Sequence, residues 1–109
     1  MGIFCQYYPV LLCSAILDVA VDPVSNVWLY PESTSFVTGK TVTCKADGYP
    51  QASFQWINTS DNDVVAYGPS LTVNETGSYT CLATNEIRGQ HYSVTSAEIT
   101  VHAAIGIYL

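Results

Sequence analysis

Gly77-Ser78-Tyr79-Thr80-Cys81-Leu82-Ala83-Thr84-Asn85 is the stretch on which the reading of this chain turns. Successive side chains of a strand point to opposite faces, so Tyr79, Cys81 and Ala83 share an inward face. Thr80, Leu82 and Thr84 then share the outward one. Asn74-Glu75-Thr76-Gly77 ahead of it is rich in turn-forming residues, and Asn85 to Gly89 reads as the loop that follows. A strand with one apolar face is stable only when that face is covered, so the rest of the chain has to supply the cover.

Working outward from it, the same period recurs. Val42, Cys44 and Ala46 share a face. Phe54 and Trp56 oppose Gln55 and Ile57, and Leu71 and Val73 form an inner side. Ala97, Ile99 and Val101 alternate with Glu98 and Thr100 on the last strand. Near the start, Val27 and Leu29 point in while Trp28 and Tyr30 point out, until Pro31 ends the strand. Thr38-Gly39-Lys40, Asp47-Gly48-Tyr49-Pro50, Ser60 to Asp63 and Gly68-Pro69 read as turns or loops, with a short strand from Val64 to Tyr67. Helical periodicity does not persist for two turns anywhere in this body. The pattern predicts an all-β chain with a core of Val42, Cys44, Phe54, Trp56, Leu71, Val73, Tyr79, Cys81, Ile99 and Val101. Burying each large member contributes ~1.5–3 kcal/mol.

Composition narrows the function. The net charge is −6 and charged residues are 11% of the chain. Lys40, Lys45 and Arg88 are the only cations, too few for a phosphate-binding stripe, so nucleic acid is excluded as a partner. An anionic membrane surface is disfavoured for the same reason. The length suits one domain, in which a covalent staple helps a small core.

Residues 1–20 read as a secretory signal or a disordered N-terminal segment: Val10-Leu11-Leu12-Cys13 is apolar, and the small residues Ser14-Ala15 follow. Residues 21–102 read as the domain, and 103–109 as an apolar tail, the start of an anchor or of a further domain. A membrane-spanning helix needs about 20 apolar residues, so no membrane-spanning segment is expected in this chain. Four cysteines allow three pairings. Removal of a signal would take Cys5 and Cys13 and leave Cys44 and Cys81 as a pair; otherwise Cys5 and Cys13 pair with each other outside the all-β body. A disulfide in turn implies an oxidising compartment.

Cys44-x-Ala46-x-Gly48-x-Pro50, then Trp56, then Gly77-x-Tyr79-x-Cys81-x-Ala83-x-Asn85 resembles the immunoglobulin superfamily, particularly its intermediate and C2-type sets. The resemblance implies an immunoglobulin-like two-sheet antiparallel β-sandwich of the short C2 or intermediate type. It implies a bridge between Cys44 and Cys81, Trp56 packed against it in the core, and a Tyr79 hydroxyl bonded to backbone at the corner before its strand. Two features depart from the family. Glu75 stands where Asp is usual, and the only Arg, Arg88, lies far from the position of that Asp's partner. Residues 57–80 are also too few for the extra edge strands of variable-type domains.

Asn58-Thr59-Ser60 and Asn74-Glu75-Thr76 are N-glycosylation acceptors by sequence, both expected in turns. His91 and His102 read as ordinary exposed side chains, with no spacing that gathers metal ligands. No serine, histidine and acid fall into a catalytic arrangement, so neither enzymatic activity nor a cofactor is expected. Gln55, Ile57, Tyr67, Leu82 and Thr84 form the expected outward face of the strands bearing Trp56 and Cys81. In the family such a face often meets the partner. The expectation is an extracellular or cell-surface protein-binding module of the adhesion or immune-recognition type, with another protein ectodomain, self or other, as partner. The alternatives are a spacer in a larger ectodomain and a cytoplasmic muscle-type domain, which the two acceptors and the cysteine pair disfavour.

Overall fold

The computed structural model describes residues 20–104. The expected signal segment, Cys5, Cys13 and most of the C-terminal tail lie outside the described residues. Nine strands follow one another: β1 (Asp22–Tyr30), β2 (Ser35–Val37), β3 (Thr41–Tyr49), β4 (Ser53–Asn58), β5 (Asp63–Tyr67), β6 (Ser70–Thr72), β7 (Gly77–Ile87), β8 (Gln90–Thr95) and β9 (Ile99–His102).

They form two sheets. One has the order β1-β3-β6, the other β2-β9-β7-β4-β5, with β8 also on β7. β2 joins β9 in parallel, from Ser35 beside Thr100 to Val37 beside His102, and every other pairing is antiparallel. The sheets are layered face to face because each strand carries its apolar residues on one side.

Leu29, Phe36, Val42, Cys44, Trp56, Leu71, Val73, Tyr79, Cys81, Ile99 and Val101 form one buried cluster between them. Phe54, expected in the core, is only half-buried at its margin, where it packs against the cluster. The Cys44–Cys81 disulfide joins β3 of one sheet to β7 of the other, with Cα atoms 6.5 Å apart. Trp56 is fully buried and stands opposite Cys81 across β4 and β7. Its indole nitrogen donates to the Pro69 carbonyl at 3.3 Å, satisfying the one polar atom of the ring. The Tyr79 hydroxyl donates to the Glu75 carbonyl at 2.9 Å, closing the corner before β7. Burial, then the nearby Glu75 and Asp61 carboxylates, push this hydroxyl above the usual tyrosine range, so it remains a donor at neutral pH.

Three expectations are corrected. Asn85 does not begin a loop: β7 runs to Ile87, and Asn85 is buried within it. Its side-chain oxygen accepts from the Val24 amide at 3.1 Å, and its nitrogen donates to the Asp22 and Pro50 carbonyls, each at 3.0 Å. One amide thus ties the start of β1 to the turn after β3. Gly48, expected in a turn, lies within β3 at φ +147°. A Cβ there would come within 3.0 Å of the Val24 Cα and 3.2 Å of the Asn85 side chain, so only glycine lets β1 pass this close. Finally, Ala97 is exposed rather than inward. The last strand breaks into β8 and β9 at residues 96–98, and Ser96 takes the inner place. Its hydroxyl accepts from the Cys81 amide at 2.9 Å and donates to the Ala97 carbonyl at 2.9 Å, so the break leaves that buried amide satisfied.

Candidate binding face

β8, β7, β4 and β5 turn one side of their sheet away from the core. The register places its side chains in rows. Tyr67, Gln55, Leu82 and Thr95 succeed one another across the four strands. Val64, Ile57 and Thr80 form a second row, and Ser53, Thr84 and Ser93 a third. All five residues singled out from the sequence (Gln55, Ile57, Tyr67, Leu82 and Thr84) therefore meet on one surface. Ser53, Val64, Thr80, Ser93 and Thr95 join them. Thr80 shares the outward phase of Leu82 and Thr84, whereas Val64, Ser93 and Thr95 fall into line only once the pairing of β5 and β8 is known.

The surface is low in charge. None of the side chains in the three rows is a Lys, Arg, His, Asp or Glu, in a chain of net charge −6. Glu86 and His91 pair beyond one margin, next to the Arg88-Gly89 turn. Tyr67 is 76% exposed, and Val64 also stands clear of the surface. Gln55, Ile57, Leu82 and Thr84 are half-buried by their neighbours. Thr84 and Ser93 join their hydroxyls at 3.1 Å across the third row. Beside Tyr67 is a shallow hollow of about 310 Å³ bounded by Gln51, Phe54, Gln55 and Pro69.

The opposite sheet presents Trp28, 44% exposed, beside Lys45, and Tyr30, 67% exposed, beside Thr43. Both point outward as expected. Their surroundings are a ladder of hydroxyls, Thr41 to Thr72 at 2.8 Å and Thr43 to Ser70 at 3.3 Å. Among the described residues no group of three or more His, Cys, Asp or Glu is placed to hold a metal ion. No helix among them is long and apolar enough to cross a membrane.

The two acceptor asparagines stand at one end of the sandwich, where β4 and β6 finish and β7 starts. Asn74 is exposed in the turn before β7. Asn58 is the last residue of β4 rather than part of a turn, and it is half-buried. Its side-chain oxygen accepts from the Ser60 amide at 2.9 Å and the Ser60 hydroxyl at 2.7 Å, so the first and third residues of that triplet face each other.

Solved structures with this arrangement are immunoglobulin domains. The N-terminal four immunoglobulin domains of Dscam1 isoform 1.9 superpose with a TM-score of 0.61 at 18% identity, over 82% of this chain and 23% of that one. The complex of Dpr2 Ig1-Ig2 with DIP-Theta Ig1-Ig3 gives 0.55 at 23% identity, over 78% of this chain and 33% of that one. This chain folds as an immunoglobulin-like domain. Cell surface glycoprotein MUC18 of Rattus norvegicus is 28% identical to it over 106 residues, 91% of this chain and 15% of the rat protein. HEPACAM family member 2 of Mus musculus is 40% identical over 55 residues, 43% of this chain and 12% of the mouse protein. The domain thus spans less than one sixth of either relative's length. No protein-family profile matches it.

Proposed function

We propose that this immunoglobulin-like domain, residues 21–102, is a recognition module of the cell-adhesion type. It acts outside the cell or at its surface and binds another protein's ectodomain through the outward face of β8, β7, β4 and β5. One observation carries the reading: in an acidic chain, three adjoining cross-strand rows are uncharged and rich in Ile57, Val64, Tyr67 and Leu82. Depletion of charge with aromatic enrichment marks the centre of protein interfaces. The relatives support it, one being a cell surface glycoprotein by name and one of the solved neighbours a complex between immunoglobulin domains of two proteins. The inter-sheet disulfide supports an oxidising compartment. Asn58 and Asn74 are read as glycan carriers that leave this face clear, since both lie at its end. The reading is of binding rather than catalysis: the hollows among the described residues are shallow, and Thr59, whose hydroxyl donates to the Glu98 carboxylate at 2.6 Å, lines none of them.

The test is adhesion of beads coated with the folded domain to each other and to cells. Leu82→Ala should change stability by only ~0.5 kcal/mol, as surface changes do. It should weaken adhesion by more than about 1 kcal/mol if Leu82 is central to the interface. Ile57→Asp, which puts a carboxylate in the middle of the second row, should abolish it. Equal adhesion by native and variant domains would remove this face. No adhesion by the folded native domain would make it a spacer.

A further inference from the structure

Every open sheet needs a defence at its edges, because unpaired amides and carbonyls there are a template for another strand. Four edges of this sandwich have one. β1 contains Pro23 and two register shifts. β2 is three residues long and follows Pro31 closely. β5 carries a register shift opposite Trp56 and Ile57, starts at Asp63 and runs into Gly68-Pro69. β6 is three residues long and follows Pro69 directly.

β8 has none of these. Gln90-His91-Tyr92-Ser93-Val94-Thr95 contains no Pro, Lys, Arg, Asp or Glu, and its register with β7 is unbroken from Ile87 beside Gln90 to Leu82 beside Thr95. Among the described residues no strand pairs with its far side. The phase of that edge follows from the Ser96 amide, which donates to the Cys81 carbonyl at 2.8 Å and so points toward β7. Backbone direction alternates along an antiparallel strand, so Gln90, Tyr92 and Val94 also turn theirs to β7. His91, Ser93 and Thr95 turn theirs outward.

We propose that β8 is a self-pairing edge, on which a second copy of this chain seats its own β8 antiparallel about a two-fold axis at Ser93. It uses the backbone edge of β8 rather than the face proposed above, although Ser93 and Thr95 also lie on that face. The register follows from the three outward positions: Ser93 meets Ser93 of the second copy, and His91 meets Thr95, giving about six backbone hydrogen bonds. The side chains favour that occupant. On the inner side Tyr92 meets Val94, an aromatic with a β-branched residue, a favourable cross-strand pair. Small serines meet at the axis, and no charge opposes a like charge although each chain carries −6. A two-fold contact of this kind is self-complementary and closes at the dimer.

The experiment is sedimentation velocity of the whole secreted chain from about 5 µM to about 500 µM. The native chain should shift from monomer to dimer across that range. His91→Lys with Thr95→Lys, both on exposed positions, should remain monomeric, because each new lysine faces the other across the axis. His91→Glu with Thr95→Glu should do the same. An equimolar mixture of the two double variants should recover the dimer at least tenfold below the concentration at which either alone forms one. A native chain that stays monomeric, double variants that dimerise as it does, or a mixture that stays monomeric would each overturn the proposal.

Discussion

Trp56→Ala should cost the domain ~3–5 kcal/mol and leave little or no folded protein. The indole is fully buried where the two sheets meet, opposite Cys81 on β7 and Ala66 on β5. Removing it opens a void lined by the middle of the core. The Pro69 carbonyl loses the indole donor 3.3 Å away but keeps the Cys44 amide at 2.7 Å, so the cost lies in the void. Domains of this size are stable by about 5–15 kcal/mol, so the loss is a large share of the whole. Trp56→Phe keeps most of the volume and should lose less than half as much. Urea denaturation of the three proteins checks the order. An unfolding midpoint for Trp56→Ala equal to the native one would show that the indole does not sit in the core.

Replacing both bridge cysteines, Cys44→Ala with Cys81→Ala, should cost about 4 kcal/mol. The bridge closes a loop with a sequence separation of 37 and so restricts the unfolded chain. Both positions are buried among Val42, Leu71 and Ile99, where alanine is tolerated as a small apolar residue, so part of the loss comes from the cavity that two missing sulfurs leave. The measurement compares urea midpoints of the native domain, the reduced native domain and the double variant. Both should fall well below the oxidised protein, and the double variant somewhat below the reduced one, because only it has lost the sulfurs' volume. A midpoint unchanged by reduction would place the stability of the sandwich elsewhere.

Both effects were legible in the sequence because they rest on period-two alternation. Val42 with Cys44, Leu71 with Val73, Tyr79 with Cys81 and Ala83, and Ile99 with Val101 each point to the core in the expected phase. The misplaced residues are polar or small, and tertiary contacts decide where they go. Asn85 has a turn former's propensity, yet three backbone partners from β1 and the turn after β3 hold it inside a strand. Ser96 replaces Ala97 inside because its hydroxyl completes a backbone bond that the break in the strand removes. β8 has only Tyr92 and Val94 in apolar alternation, too short a pattern to stand alone, and is a strand through its pairing with β7. The face was partly legible: five residues, with Thr80 beside them, followed from the phase of β4, β5 and β7, whereas Val64, Ser93 and Thr95 waited on the register.

If binding runs through the face centred on Leu82, a glycan added there should block it with little effect on the core. Leu82→Asn creates an acceptor at Asn-Ala-Thr in the middle row, and Thr41→Asn creates one at Asn-Val-Thr on the opposite sheet. Intact mass before and after glycan removal reports occupancy, including the native carriers expected at Asn58 and Asn74. With each new acceptor filled and both proteins folded, adhesion of coated beads should be lost for Leu82→Asn and kept for Thr41→Asn. Adhesion kept by the glycosylated Leu82→Asn protein, or lost only in the Thr41→Asn protein, would show that binding does not run through this face.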